Sequence, residues 1–239
     1  MLREARLVAL RRGDAADFLA EFEHLGNVGL GVWHWGLEVN GTLASVVSYG
    51  TPCFWRRRGL VGRIARKAKC GIIQLCRGGT APWACTNTAS RLICLANRRL
   101  YALRGPLLVV AYADEKYGEV GTIYQACNAM YLGMTDPKGQ ADYVIRGKRM
   151  SAWVVRKKYG TRDRRKLRRI DSRVRILPLR RKHRYLLVAG SSRFRRRVGE
   201  LLESHLRAYP KRLRDNPQPL SAMGKNTDLA FHAASIKKS

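Results

Sequence analysis

Between positions 114 and 124 the chain carries a carboxylate, two glycines and a phenol at short spacing: Asp114, Gly118, Gly121 and Tyr124. A carboxylate can deprotonate or orient an amine, and a tyrosine hydroxyl can donate a proton to a departing thiolate or hold an acyl carbonyl. Asp114 equally suits a turn cap, and Tyr124 a core aromatic. Glycines let a backbone turn sharply and approach a ligand closely. The turn Gly118-Glu119-Val120-Gly121-Thr122 therefore aims N–H groups at one place just before a predicted helix. Unpaired donors and the helix dipole favour an anion such as a pyrophosphate there. Asn128, at the end of the same segment, is a further candidate for holding that ligand. Ser90, near a predicted helix start, and His34, on a predicted strand, complete the candidate catalytic set.

These residues need a strand to end at Asp114 and a helix to begin near Tyr124. Leu107 to Tyr112 is a continuous apolar run that reads as a buried strand, and Ile123 to Met130 reads as a short helix. Further upstream, Ala5 to Leu10 predicts a strand and Ala15 to Leu25 a helix. Val32 to Val39 and Thr42 to Tyr49 flank Asn40-Gly41, a tight hairpin signal. Gly71 to Cys76 predicts a strand, Arg77 to Cys85 a loop, and Thr86 or Asn87 caps a helix to about Leu103. Arg56 to Lys69 reads as a basic loop or short amphipathic helix projecting from the sheet. Downstream, Trp153 to Val155 and Tyr185 to Val188 predict strands, and Arg162 to Ile170 and Arg193 to Leu206 helices. The order predicts a mixed α/β (α+β) protein with a mostly antiparallel sheet. Its expected organisation is a core over residues 1–145 with the donor-binding turn, a basic extension over 146–214 that completes the core, and a flexible tail over 215–239.

The charge narrows the function classes. The 239 residues hold 47 Lys and Arg against 17 Asp and Glu, a net of +30, which points to a polyanionic partner. The excess is uneven. Residues 146–214 hold 26 basic and 4 acidic side chains, and residues 56–69 hold 7 basic and no acidic ones. Arg56, Arg57, Arg58, Arg63, Lys67, Arg149, Lys182 and Arg184 are the candidate nucleic-acid contacts, with phosphates held by cations and bases stacked on nearby aromatics. No apolar run approaches the roughly 18 residues of a membrane span, and the N-terminus has no signal-peptide core. A cytoplasmic protein without a membrane partner is expected. The six cysteines form no Cys-x-x-Cys pair, so reduced thiols are expected, with no metal motif and with Cys94 and Cys127 buried as small apolar residues.

The element order is similar to that of the GNAT N-acetyltransferases, which bind acetyl-CoA, although their Gln/Arg-x-x-Gly-x-Gly/Ala turn is not matched. A narrower likeness runs through SVVSYGTP at 45–52, GIIQLCRGGTAP and TNTASRLI at 71–93, VVAYADEKYGEVGTIYQACN at 109–128, KHRYLL at 182–187 and YPKR at 209–212. In that order they resemble the Mom family of phage DNA-modification proteins, themselves related to GNAT folds. The most specific part is Asp114 followed by Gly118, Gly121, Tyr124 and Ala126, and it departs at Glu119, where a His is expected. The resemblance implies conversion of adenine in double-stranded DNA to an N6-methylcarbamoyl (acetamido) derivative that blocks restriction. It also implies acetyl-CoA or a related acyl donor, with Fe suggested for the family. Trp33, Trp35, Trp55 or Trp83 is then expected to line a pocket for a flipped base. Two other classes stay open: a noncatalytic basic nucleic-acid-binding protein, and a GNAT that acetylates a protein or RNA amine.

Overall fold

The computed structural model of the chain describes residues 4–52, 59–136 and 141–211. Arg56, Arg57, Arg58 and Trp55 of the sequence reading lie outside the described residues. A seven-stranded sheet forms the centre. Its strands are β1 (Arg6–Ala9), β2 (Gly31–Val39), β3 (Thr42–Gly50), β4 (Gly71–Thr80), β5 (Leu107–Asp114), β6 (Met130–Met134) and β10 (Lys182–Ala189), in the order β1-β2-β3-β4-β5-β10-β6. Every neighbouring pair is antiparallel except β4 and β5. This is the mixed, mostly antiparallel sheet flanked by helices that the sequence predicts.

The β2–β3 hairpin closes at Asn40 and Gly41, both at positive φ (50° and 77°), the geometry that a two-residue hairpin turn demands. Strand β5 is apolar without alternation because both of its faces are covered. Leu107, Val109, Ala111 and Ala113 face a core shared with α3 (Thr88–Arg104), whose Leu92, Ile93, Ala96 and Leu100 are buried there. Leu108 and Val110 face the opposite side, under α2 (Leu60–Ala68) and α7 (Ser192–Leu202). A third cluster sits under α1 (Arg12–Phe22), around Ala15, Phe18, Leu19 and Val46.

Several elements differ from the sequence reading. Helix α2 does not project: Val61, Ile64, Ala65 and Ala68 are buried against the sheet, and only its basic face is outside. Strand β4 continues through Arg77–Thr80, where a loop is expected, because Ser45–Ser48 of β3 pair with it. The helix after the glycine turn, α4 (Thr122–Ala126), stops before Met130, which begins β6. Trp153–Val155 lies in a helix, α5 (Ala152–Tyr159), capped by the Ser151 side chain and ended by Gly160 at φ 69°. The β-branched pair mimics a strand, but only Val155 of this helix is buried. The chain between β6 and β10 forms a second, three-stranded sheet, β8-β7-β9, from β7 (Ala141–Ile145), β8 (Lys148–Ser151) and β9 (Arg175–Pro178), with α5 and α6 (Arg164–Ile170).

Strand β10 lies between β5 and β6, so the central sheet depends on chain that the sequence reading placed in the basic extension. Leu186 of β10 is fully buried between α2 and α7. Leu186→Ala is expected to lower unfolding free energy by about 2–5 kcal/mol, read by chemical denaturation. A loss within error of zero would mean that β10 is not part of the core.

Candidate active site

The site begins with a gap in strand pairing. β4 and β5 pair in parallel only from Gly71↔Leu107 to Gln74↔Val110. Beyond that, β4 stays with β3 as far as Thr80, and β5 stays with β10 as far as Asp114. The register of β3 on β4 shifts between Ser48 and Tyr49, which leaves Cys76 as an extra residue in β4. Such a bulge bends its strand. The sheet therefore opens over Leu75–Thr80 and Ala111–Asp114. In open sheets, ligands bind at the carboxyl ends of parallel strands, and both α3 and α4 begin at that end.

Tyr124, from α4, packs against the α3 face of the sheet. Its ring lies 5.4 Å from that of Tyr185 and its hydroxyl donates to the Tyr112 carbonyl at 3.5 Å. Burial, with the Glu119 carboxylate adding to it, raises the Tyr124 pKa far above the ordinary phenol value, so the group stays protonated and keeps a proton to donate. Beside it, Tyr49 is fully buried and its hydroxyl has no hydrogen-bond partner among the described residues. Trp35 Nε1 and Asn97 Oδ1, in the same layer beneath α3, are likewise buried and unpartnered.

Asp114 ends β5. Its backbone N–H donates to Glu119 Oε2 at 3.0 Å and its carboxylate meets Lys182 Nζ at 2.9 Å. The glycine turn is anchored from β10: the Tyr185 hydroxyl donates to the Val120 carbonyl, and Gln125 Nε2 donates to the same carbonyl at 3.1 Å. Because the peptide is trans, anchoring that C=O toward Tyr185 turns the Gly121 N–H the other way. The close approach that Gly121 permits is made by the protein itself, since a Cβ there would lie 2.3 Å from Tyr185 Cε2. Gly118 has open space around it, and only its φ of 68° favours glycine. Thr122 begins α4, and Asn128 leaves it at φ 54°.

Ser90 sits near the start of α3, where its hydroxyl donates to the Asn87 carbonyl at 3.1 Å and its carbonyl accepts from Cys127 Sγ at 3.5 Å. It therefore shares the α3–α4 junction with Tyr124. His34 does not. Trp35 and Leu37 of β2 face α3, so alternation puts His34 on the opposite face, buried and 2.8 Å from Ser48 Oγ. Burial, then the Arg12 guanidinium, lowers its pKa and keeps it neutral.

Cys94 departs from the expectation of a buried, small apolar residue. All five described cysteines are reduced, but Cys94 on α3 is exposed. A hydrogen bond from Cys127 stabilises its thiolate, with help from Arg98 and Arg195, and brings its pKa down to about 6. The same bond and burial push the Cys127 thiol up.

Trp33 lies under the Arg104 guanidinium, 4.8 Å from its ring centroid, and Trp35 is in the core. Trp83 is 53% exposed on the loop between β4 and α3, at the carboxyl end of β4. Of the described nucleic-acid candidates, Arg63 and Lys67 are on the exposed face of α2. Arg149 pairs with Asp142 at 2.8 Å, Lys182 meets Asp114, and Arg184 donates to the Leu132 carbonyl at 3.0 Å. Sequence reasoning missed Tyr185 and the buried Tyr131–His183 pair, 2.8 Å apart. The signal was the alternation His183, Tyr185, Leu187 in KHRYLL. Among the described residues no group of three or more His, Cys, Asp or Glu is placed to hold a metal ion, so these residues do not fit the suggested iron.

The Mom protein family profile matches residues 15–211. The chain belongs to the Mom family. No curated protein matches the sequence. Among solved structures, the Mom chain is similar to an N-acetyltransferase from Staphylococcus aureus Mu50 at 12% identity and a TM-score of 0.40, covering 77% of this chain and 98% of that one. It is similar to a polyamine N-acetyltransferase from Drosophila melanogaster at 10% identity and 0.41, covering 77% and 99%. A phosphinothricin acetyltransferase from Sinorhizobium meliloti, solved with AcCoA, gives 11% and 0.42, covering 78% and 89%.

Two outcomes follow from this geometry. Gly121→Ala should lower stability by about 1–3 kcal/mol through strain and collision with Tyr185, and more than Gly118→Ala, where strain acts alone; equal melting temperatures would contradict the packing. Alkylation of Cys94, followed by peptide mass, should rise with a midpoint at about pH 6, and Cys127→Ala should move it up toward the ordinary thiol value. A native midpoint at about 8.5, that ordinary value, would show that the thiol pair is not hydrogen-bonded.

Proposed function

We propose that this Mom-family protein transfers an acyl-derived group to the N6 amine of adenine in double-stranded DNA, giving the methylcarbamoyl derivative that protects DNA from restriction. The single observation that carries the proposal is the opening between β4 and β5, with Asp114 and Tyr124 at its carboxyl end. Family membership supplies the substrate class. The acyl donor, acetyl-CoA or a relative, occupies the opening. Its pyrophosphate lies between the Gly118–Thr122 turn and the first turn of α3, which has no side-chain cap and no acidic residue. An uncapped helix start favours an anion. Arg91, in that first turn, has a buried guanidinium Nε without a hydrogen-bond partner among the described residues, a second group suited to phosphate.

Asp114 accepts a proton from the amine, or orients it, in the acyl-transfer step, which forms the bond to N6, breaks the donor's C–S bond and releases the thiol. Lys182 Nζ, 2.9 Å away, holds that carboxylate in place. Tyr124, held protonated by burial, donates to the sulfur as the C–S bond breaks. Ser90 lines the junction beside it, while His34 serves the fold on the other face. Acyl transfer alone would stop at an N6-acetyl amide; the acetamido product holds one nitrogen more, so a second reactant at the ammonia or amine level must supply that nitrogen. A flipped base is required because N6 takes part in pairing, and its amine must reach the carboxyl end of the β4–β5 opening.

Nucleoside mass spectrometry of DNA from cells expressing the protein tests this reading. The expected product is an adenine adduct containing the extra nitrogen. Asp114→Asn and Tyr124→Phe should each reduce it by about 10²- to 10⁴-fold with unchanged melting. An acetyl adduct, or no adduct with an active protein-amine acetylation, would replace this function with simple acetyl transfer. Full activity in Asp114→Asn would return that residue to a structural role.

A further inference from the structure

The chain leaves the main sheet at Thr135 and rejoins it at Lys182. There Thr135 N donates to the Lys182 carbonyl at 2.8 Å, and Lys182 N donates to Thr135 Oγ1 at 2.9 Å. The excursion is thus an insertion into a β6–β10 hairpin. It carries its own sheet and its own core, Tyr143, Ile145, Val155, Leu167 and Val174, and every residue packed on that core comes from Ala141 to Ile176.

Residues 141–178 hold 14 Lys and Arg against 3 Asp, a net of +11. All fourteen cations are exposed. All three acids are engaged in local structure: Asp142 pairs with Arg149, Asp163 caps α6 by accepting from Lys166 N at 2.9 Å, and Asp171 accepts from Arg146 N and Arg173 N. The outward charge is therefore nearly unopposed. Helices α5 and α6 each fully bury a single residue, Val155 and Leu167, with Ala152, Tyr159 and Ile170 packed beside them, and their cations lie on the outer face.

Among these cations stands one exposed aromatic ring, Trp153. Trp153 is 59% exposed and takes no part in the module's core. Lys157 Nζ lies 5.3 Å from its ring centroid, one helical turn away. A bare indole among cations matches the pattern by which proteins hold nucleic acid, with phosphates on the charges and a base face on the aromatic.

We propose that residues 141–178 form a DNA-gripping module, in which the cations of α5 and α6 bind the duplex backbone and Trp153 stacks on a base displaced from the helix. This rests on the reading that DNA is the substrate. The module supplies the hold and the stacking surface, and the reaction takes place at the β4–β5 opening. Exposed surface cations of this kind bind phosphates in a sequence-independent, salt-sensitive way.

The test uses the full chain, fluorescence anisotropy with a short duplex, and the same duplex carrying one unpaired adenine. The native protein should bind the second more tightly. The triple variant Arg164→Gln/Arg165→Gln/Arg168→Gln should lose affinity for both alike, by ten-fold or more at low salt, and lower the salt slope by about 0.9 per contact removed. Arg156→Gln/Lys158→Gln on α5 is a second, independent set with the same expected direction. Trp153→Ala should keep its affinity for the perfect duplex within two-fold and lose the preference for the unpaired adenine, and Trp153→Phe should restore part of it. Native affinity and slope in both charge variants would overturn the grip, and an undiminished preference in Trp153→Ala would overturn the stacking role. Tight binding to anionic vesicles but not to either duplex would reassign the surface to membranes. Adenine modification, measured separately in cells, distinguishes the two readings. Lost duplex binding with no adduct even from the native protein removes the enzymatic reading and keeps the module; an adduct from the native protein with unaltered binding by the charge variants removes the module alone.

Discussion

The architecture depends on two strands being held apart. β4 and β5 start side by side and share four register positions, and then each follows a different neighbour: β4 follows β3, and β5 follows β10. Both neighbours are long, well-paired and buried, so closing the gap would break ladder hydrogen bonds on each outer side. An unpaired strand edge inside a protein leaves backbone donors and acceptors facing a shared space. Those groups need a partner, and a ligand with amide groups of its own can supply one. The opening is thus a built recess whose walls are fixed by the rest of the sheet.

The long-range anchor is β10, inserted between β5 and β6. Its Lys182 meets Asp114, its Tyr185 fills the space at Gly121 and fixes the Val120 carbonyl, and its Leu186 packs between α2 and α7. One strand therefore sets the carboxylate, the glycine turn and the opposite core at once. Tyr124, Tyr131 and Tyr209 pack around Tyr185 at centroid distances of 5.4, 5.0 and 6.4 Å. That aromatic cluster ties the turn to the sheet.

Much of this was legible where a local pattern matched a local cause. The Asn40-Gly41 hairpin, the apolar run of β5 and the amphipathic period of α3 each read correctly, because turn chemistry and burial act within a few residues. The Asp114–Tyr124 stretch was legible as a unit for the same reason. What stayed hidden depends on distant chain. No local signal shows that Gly121 makes room for Tyr185, that Lys182 meets Asp114, or that His34 falls on the far face of the sheet. Trp153-Val154-Val155 misled because β-branched residues favour strands, while the Ser151 cap and Gly160 stop decide for a helix. The inserted sheet was missed because its strands are only four or five residues long, too short for an alternating pattern to stand out.

The central claim is that the opening between β4 and β5 holds the acyl donor. Hydrogen–deuterium exchange of the full chain with and without coenzyme A tests it directly. Slowed exchange is predicted in peptides covering Thr86–Arg91 and Ala111–Thr122, at the two edges of the recess. Slowed exchange confined to residues 141–178, with those two segments unchanged at saturating ligand, would contradict it.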